Sequence, residues 1–198
     1  MTDTADPRLR LLAITDDVRD GPDGLAARAA AAERGGATLV VLRLKHADGR
    51  ALEEVARALM AALTIPVVVS ERLDVALACG AAGVHLTALS LPVVAIRPHV
   101  PPGFLIGASV SSANDLESAT GADYATIGPI FGGGESALGP TGFERLARAC
   151  GVPAVAIGGI DAESATHMRA VGAVGVAAIG AILGAPDPEA AARALLGN

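Results

Sequence analysis

Short apolar runs recur along the chain, and helical patterns fill the gaps between them. The runs fall at 11–15, 38–43, 66–70, 83–86, 104–108, 124–127, 154–157 and 174–179, each four to six residues long. Between them, segments 24–34, 50–63, 72–79, 91–97, 113–120, 142–150, 162–171 and 188–196 carry Ala, Leu or Val at helical spacing. Strand and helix in regular alternation are the signature of β-α units on a parallel sheet. Eight such pairs close most naturally into a single-domain (β/α)8 TIM barrel; a doubly wound open sheet is the second arrangement the pattern permits.

The 198 residues suit one domain, 1–198. Shared among eight units they leave roughly 25 residues each, so the loops must be short. Residues 1–9 hold two acids and a proline before any apolar run and are expected to be a flexible lead. Nothing there resembles the apolar core of a signal peptide, and no stretch approaches the ~20 apolar residues of a membrane span, so a soluble, cytoplasmic protein is expected. The stretch 131–141, FGGGESALGPT, lacks periodicity and reads as a long mobile loop after the sixth strand. In a barrel that is the ligand end, where such a loop either covers a bound molecule or is a tolerated surface insertion.

Composition narrows the partners. Hydrophobic residues make up 52%, which excludes a disordered chain. Three Phe, one Tyr and no Trp leave no platform on which bases stack. Lys and Arg number 15 against 21 Asp and Glu, a formal charge of −6 that repels nucleic-acid backbones and anionic membranes. An anionic ligand must therefore meet a local cationic site. Cys79 and Cys150 lie far apart without C-x-x-C spacing and read as structural thiols at helix ends.

Alternation through the second strand puts Val41, Arg43 and Lys45 on one face and Val40, Leu42 and Leu44 on the other, so both cations are expected inside the barrel rim. A guanidinium suits phosphate; an ion pair with Glu71 is the plainer reading of Arg43. Near the C-terminus, Val155-Ala156-Ile157 runs into Gly158-Gly159, and Ala177-Ala178 runs into Ile179-Gly180-Ala181. Glycines at both places let backbone N–H groups approach an oxyanion, and loops after strands seven and eight form the recurrent phosphate site of this fold. His85 ends the fourth strand, where it either faces ligand or is a satisfied core residue. Ser109 ends the fifth, as anion donor or strand cap. His46, His99 and His167 read as solvated.

These pieces, in this order, resemble the thiamine phosphate synthase and thiazole tautomerase (TenI) family of (β/α)8 barrels. The resemblance runs through Ala13-Ile14-Thr15-Asp16, Leu42-Arg43-Leu44-Lys45, Glu71-Arg72-Leu73-Asp74-Val75-Ala76, Gly83-Val84-His85-Leu86, Ile106-Gly107-Ala108-Ser109, Ala122-Asp123-Tyr124 through Gly128-Pro129-Ile130-Phe131, and Ala156-Ile157-Gly158-Gly159-Ile160. The synthase branch condenses a pyrimidine pyrophosphate with a thiazole phosphate through a dissociative pyrimidine cation, with Mg²⁺ and basic groups on the leaving group. The resemblance implies that Arg43, Lys45, Ser70, His85 and Ser109 face substrate, and that Gly158, Gly159 and Ile179-Gly180-Ala181 hold the thiazole phosphate.

Several positions depart from the synthase pattern: Val41 stands for its Gln, Ser70-Glu71 for its Asn-Asp, Ser90 for its second metal carboxylate and Gly133-Gly134-Glu135-Ser136 for its loop Thr-x-Thr-Lys element. All weaken the pyrophosphate half, which points to the TenI branch: a tautomerase that binds thiazole phosphate without cofactor or metal. That branch's histidines align with Pro129 and Ser111, leaving His85 as the expected proton carrier. The alternatives are a synthase using Mg²⁺ with Glu71 as its remaining ligand, a catalytically silent barrel that binds a phosphorylated metabolite, and a sugar-phosphate isomerase or epimerase. Homo-oligomerisation stays open.

Overall fold

The computed structural model describes residues 6–132 and 134–197. Eight strands, β1 (Leu11–Ile14), β2 (Leu39–Leu42), β3 (Val67–Ser70), β4 (Gly83–Leu86), β5 (Leu105–Val110), β6 (Tyr124–Ile127), β7 (Ala154–Ile157) and β8 (Gly175–Ala178), pair in chain order as a closed parallel barrel. Closure comes from β1 against β8, with Leu11 opposite Val176, Leu12 opposite Ala177 and Ala13 opposite Ala178. The barrel expectation holds, and the open sheet is set aside.

Alternation, hidden in these uniformly apolar strands, reappears as two packed layers. Leu12, Ile14, Leu39, Val41, Val68, Leu105, Tyr124, Val155 and Ala177 fill the interior. Their neighbours Leu11, Ala13, Val40, Leu42, Val67, Val69, Val84, Ile106, Ala125, Ile127, Ala156 and Val176 face the helices. Burying one such Leu, Ile or Val is worth about 1.5–3 kcal/mol, which is why short strands suffice. Pro7–Leu9, expected as part of a flexible lead, forms a 3₁₀ turn whose Leu9 is buried with the interior layer; residues 1–5 lie outside the described residues.

The helices are α1 (Gly21–Arg34), α2 (Gly49–Ala62), α3 (Leu73–Cys79), α4 (Val93–Ile96), α5 (Gly139–Cys150), α6 (Ala162–Ala170), α7 (Gly180–Leu183) and α8 (Pro188–Leu196). Aspartates start three of them: Asp48, Asp161 and Asp187 accept from the backbone N–H of Ala51, Ser164 and Ala190 at 2.9–3.0 Å, caps worth about 1 kcal/mol each. The helix expected over 113–120 is absent; only Ala113–Asp115 forms a 3₁₀ turn. Asp115 Oδ2 draws in the N–H groups of Ser111 and Ser112, both at 2.8 Å, and the Ser118 carbonyl is taken by Val93 N–H. Local side-chain bonds of this kind outcompete helix propagation.

The irregular 131–141 stretch is shorter than its sequence pattern indicates. Leu138 and Gly139 donate to the carbonyls of Pro129 and Ile130 at 2.8 and 3.1 Å, and α5 already begins at Gly139. Gly133 and the Glu135 side chain lie outside the described residues. Cys79 and Cys150 are free thiols, buried and half-buried, closing α3 and α5. Among the described residues no helix is long and apolar enough to cross a membrane.

Candidate active site

At the carboxyl ends of β7 and β8, Ile157-Gly158-Gly159-Ile160 and Ala177 to Ala181 line one cavity of about 260 Å³. The two glycine turns that stand apart in sequence are thus neighbours. Gly158 and Gly159 have φ of +100° and +69°, where a side chain is strained. A Cβ on Gly159 would also overlap the Phe131 carbonyl, and one on Gly158 would stand 2.7 Å from Pro129 Cα. Gly180 differs: its φ is ordinary, and a Cβ there would meet no atom within 4 Å. Neither chain geometry nor packing asks for glycine at this position, so open space above its backbone is what it contributes. Gly180 begins α7, a short extra helix ahead of α8, with Ile179 at its cap.

Beside this cradle, a second cavity of about 250 Å³ is lined by Ser109, Val110, Ser111, Thr126, Gly128, Pro129, Ile157, Gly158 and Ile179. Below it lies a polar cluster inside an otherwise apolar barrel. His85 Nδ1 is 3.1 Å from the Tyr124 hydroxyl, and His85 Nε2 is 3.0 Å from Ser109 Oγ and 3.2 Å from Thr126 Oγ1. Gly107 makes room for it, since a Cβ there would stand on both the Tyr124 and His85 rings. Burial pushes the His85 pKa down to about 4, so the imidazole is neutral at pH 7. Burial likewise holds the Tyr124 phenol above its ordinary value, reinforced by the negative charge of Asp123. The expected proton carrier near neutral pKa is therefore a buried neutral ring that supports the Ser109 hydroxyl.

The opposite side of the mouth is built from charged side chains. The chain leaves the strand after Leu42, so alternation does not continue to Lys45, which sits exposed in a turn. Arg43 stays near the rim, pinned through its backbone N–H to Thr15 Oγ1 at 2.8 Å. Its guanidinium meets Asp16 at 3.4 Å, the partner in place of the expected Glu71. Lys45, His46, Asp16 and Asp17 share a groove of about 390 Å³. Ser70 ends β3 buried, in register with His85. Glu71 follows with φ of +63°, a region few non-glycine residues occupy. Its N–H donates to the His85 carbonyl at 2.9 Å, and its carboxylate accepts from Thr87 Oγ1 at 2.7 Å. Ser90 Oγ accepts from Thr87 N–H at 3.1 Å. Among the described residues no group of three or more His, Cys, Asp or Glu is placed to hold a metal ion.

This site sits in a chain whose residues 11–182 match the family model described as thiamine monophosphate synthase. The chain belongs to the thiamine monophosphate synthase/TenI family. A thiamine-phosphate synthase of Chlorobium luteolum is 41% identical over 96% of this chain and 93% of its own. One from Methanoculleus marisnigri is 46% identical over 85% and 84%. Among solved structures, a thiamine phosphate pyrophosphorylase from Pyrococcus furiosus superposes with a TM-score of 0.80 at 33% identity, covering 96% of this chain and 94% of that one. The family assignment made from the sequence therefore stands. Within the family, these relatives favour the synthase alternative over the tautomerase reading.

Tyr124 and Thr126 read as strand residues in the sequence and not as part of the site. Their signal was present: two polar residues at period 2 in β6, alternating with Ala125 and Ile127, which face the helices.

Proposed function

We propose that this protein is a thiamine phosphate synthase, joining a pyrimidine diphosphate to a thiazole phosphate with release of pyrophosphate. The observation that carries the reading is the near end-to-end similarity to thiamine-phosphate synthases at 41% identity. The geometry supports it through what the reaction does not require. The carbon–oxygen bond of the pyrimidine diphosphate breaks, pyrophosphate leaves with the electron pair, and the thiazole nitrogen attacks the resulting cation. No base has to take a proton for the new bond to form. A tautomerase does need a proton carrier working near pH 7, and His85 at about 4 is poorly matched to that task.

In this reading the β7–β8 cradle anchors the thiazole phosphate through backbone N–H groups and the open space over Gly180. Arg43 and Lys45 meet the diphosphate, the first by exchanging Asp16 for the substrate anion. Ser109, held from below by His85, donates into the space between the two. The residues do not fit a resident metal ion, since among the described residues Glu71 stands in no group of three or more His, Cys, Asp or Glu that could hold one. They do fit a magnesium ion delivered on the diphosphate, because that ion is commonly bound through one or two carboxylates plus substrate phosphates. Held there by Glu71 and the diphosphate, such an ion would neutralise charge on the departing oxygens.

Phosphorus NMR of purified protein with both substrates and magnesium tests the reading. Thiamine phosphate and inorganic pyrophosphate should appear in equal amounts as the diphosphate ester disappears. Absence of both, while the protein converts a thiazole phosphate carboxylate between tautomers, would return the function to the TenI branch; absence of all turnover would leave the silent binder.

A further inference from the structure

The Tyr124 side chain is fully buried, and His85 Nδ1 is the partner its hydroxyl has among the described residues. A neutral imidazole donates from one ring nitrogen and accepts at the other. If Nδ1 carried the proton it would point at Tyr124 Oη, and the phenolic hydrogen would be buried without an acceptor, which costs about 1–3 kcal/mol. With the proton on Nε2, Tyr124 O–H donates to Nδ1 and every donor of the pair is used. Thr126 is nearly as buried, at 2% exposure, but it is one of the residues lining the cavity of about 250 Å³, where an acceptor for its hydroxyl hydrogen can enter.

We infer that Tyr124 fixes His85 as the Nε2–H tautomer and thereby leaves the Ser109 O–H free to donate to substrate. The Nε2–H points at Ser109 Oγ, 3.0 Å away, and is shared with Thr126 Oγ1 at 3.2 Å. A lone pair of Ser109 is then occupied from below, and its own O–H is left for the cavity, where it is accepted by the oxygen that leaves with pyrophosphate, most strongly as charge grows there while the carbon–oxygen bond breaks. His85 is not a base toward Ser109, and Ser109 is not a nucleophile. Tyr124 and Thr126 are positioning residues, acting on substrate only through His85 and Ser109. The role assigned to Ser109 rests on the synthase reading; the tautomer does not.

Long-range ¹⁵N–¹H correlation spectra of the full-length protein labelled at histidine test this directly, with the His85 signals assigned by their loss in His85→Gln. The expected result is an unprotonated Nδ1 and a protonated Nε2 in the wild type, and a shift toward Nδ1–H in Tyr124→Phe, which removes the donor while keeping the ring. A wild-type Nδ1–H tautomer, an even mixture, or a tautomer unchanged in Tyr124→Phe would overturn the inference. The wild-type spectrum decides even if the variant fails to fold. With both substrates and magnesium, Tyr124→Phe should lower kcat about tenfold, the worth of one charge-assisted hydrogen bond, with KM changed less than about twofold. A loss confined to KM would contradict the role of Ser109. A wild-type protein without turnover would sink the synthase reading while the spectra still report the tautomer.

Discussion

On the proposed function, the two sides of the barrel mouth would hold an anion with different materials. The β7–β8 side presents backbone: Gly158, Gly159 and Gly180 around a cavity of about 260 Å³. The β2–β4 side presents charges: Arg43 already paired to Asp16, Lys45 in solvent and Glu71 in a left-handed conformation. Backbone N–H groups are fixed by the fold before a ligand arrives, and an anion held by them would depend little on salt. Mobile side chains must give up partners or water first, and solvent-exposed charges are screened. In a chain of net charge −6, the second arrangement also has to overcome its own acids.

The largest expected effect is on the backbone side. Gly159→Val combines a β-branched residue at positive φ with overlap of the Phe131 carbonyl, and should destabilise the fold by about 2–6 kcal/mol in urea unfolding. Gly180→Ala, with no atom in its way, should leave stability within about 1 kcal/mol of wild type while weakening thiazole phosphate about tenfold by calorimetry. If both substitutions affect stability alike, Gly180 has a structural role and the cradle is not open for ligand.

Between the two sides, the buried His85 makes the fold acid-sensitive. An unfolded imidazole takes its proton near pH 6.5 and the folded one near pH 4. The unfolded state therefore binds more protons between these values. Stability present above pH 6.5 falls as the pH drops toward 4, by about 3 kcal/mol in all. The stability difference between pH 7 and pH 4.5 should be markedly smaller in His85→Gln. Equal acid sensitivity in the two proteins would show that His85 is not the group responsible.

On the charged side, Arg43→Ala should weaken inorganic pyrophosphate by about 1.5–3 kcal/mol, since a guanidinium loses paired, charge-assisted bonds. Lys45→Ala should cost less, about 0.2–1 kcal/mol, and that smaller contribution should vanish at high salt. Calorimetry at low and high ionic strength separates them; equal, salt-independent losses would erase the contrast between the two sides.

The barrel was legible because its strands are apolar on both faces and its helices are not, so the boundaries fall where composition changes. Segment 113–120 misled because Asp115 spends its carboxylate on Ser111 and Ser112, a local choice that helical spacing does not encode. In the site, paired glycines after two strands announced the cradle. Lys45 was misplaced because period 2 was carried past Leu42, where the strand ends. The neutral state of His85 was not visible either: its pKa depends on burial beside Tyr124, a residue 39 positions away.

Condensation of the two substrates requires two anion sites that work at once. Titrating thiazole phosphate into protein saturated with magnesium and inorganic pyrophosphate tests this directly. Simultaneous binding is predicted, with an affinity within a few-fold of that measured without pyrophosphate; mutual exclusion of the two ligands, or no pyrophosphate binding at all, would contradict it.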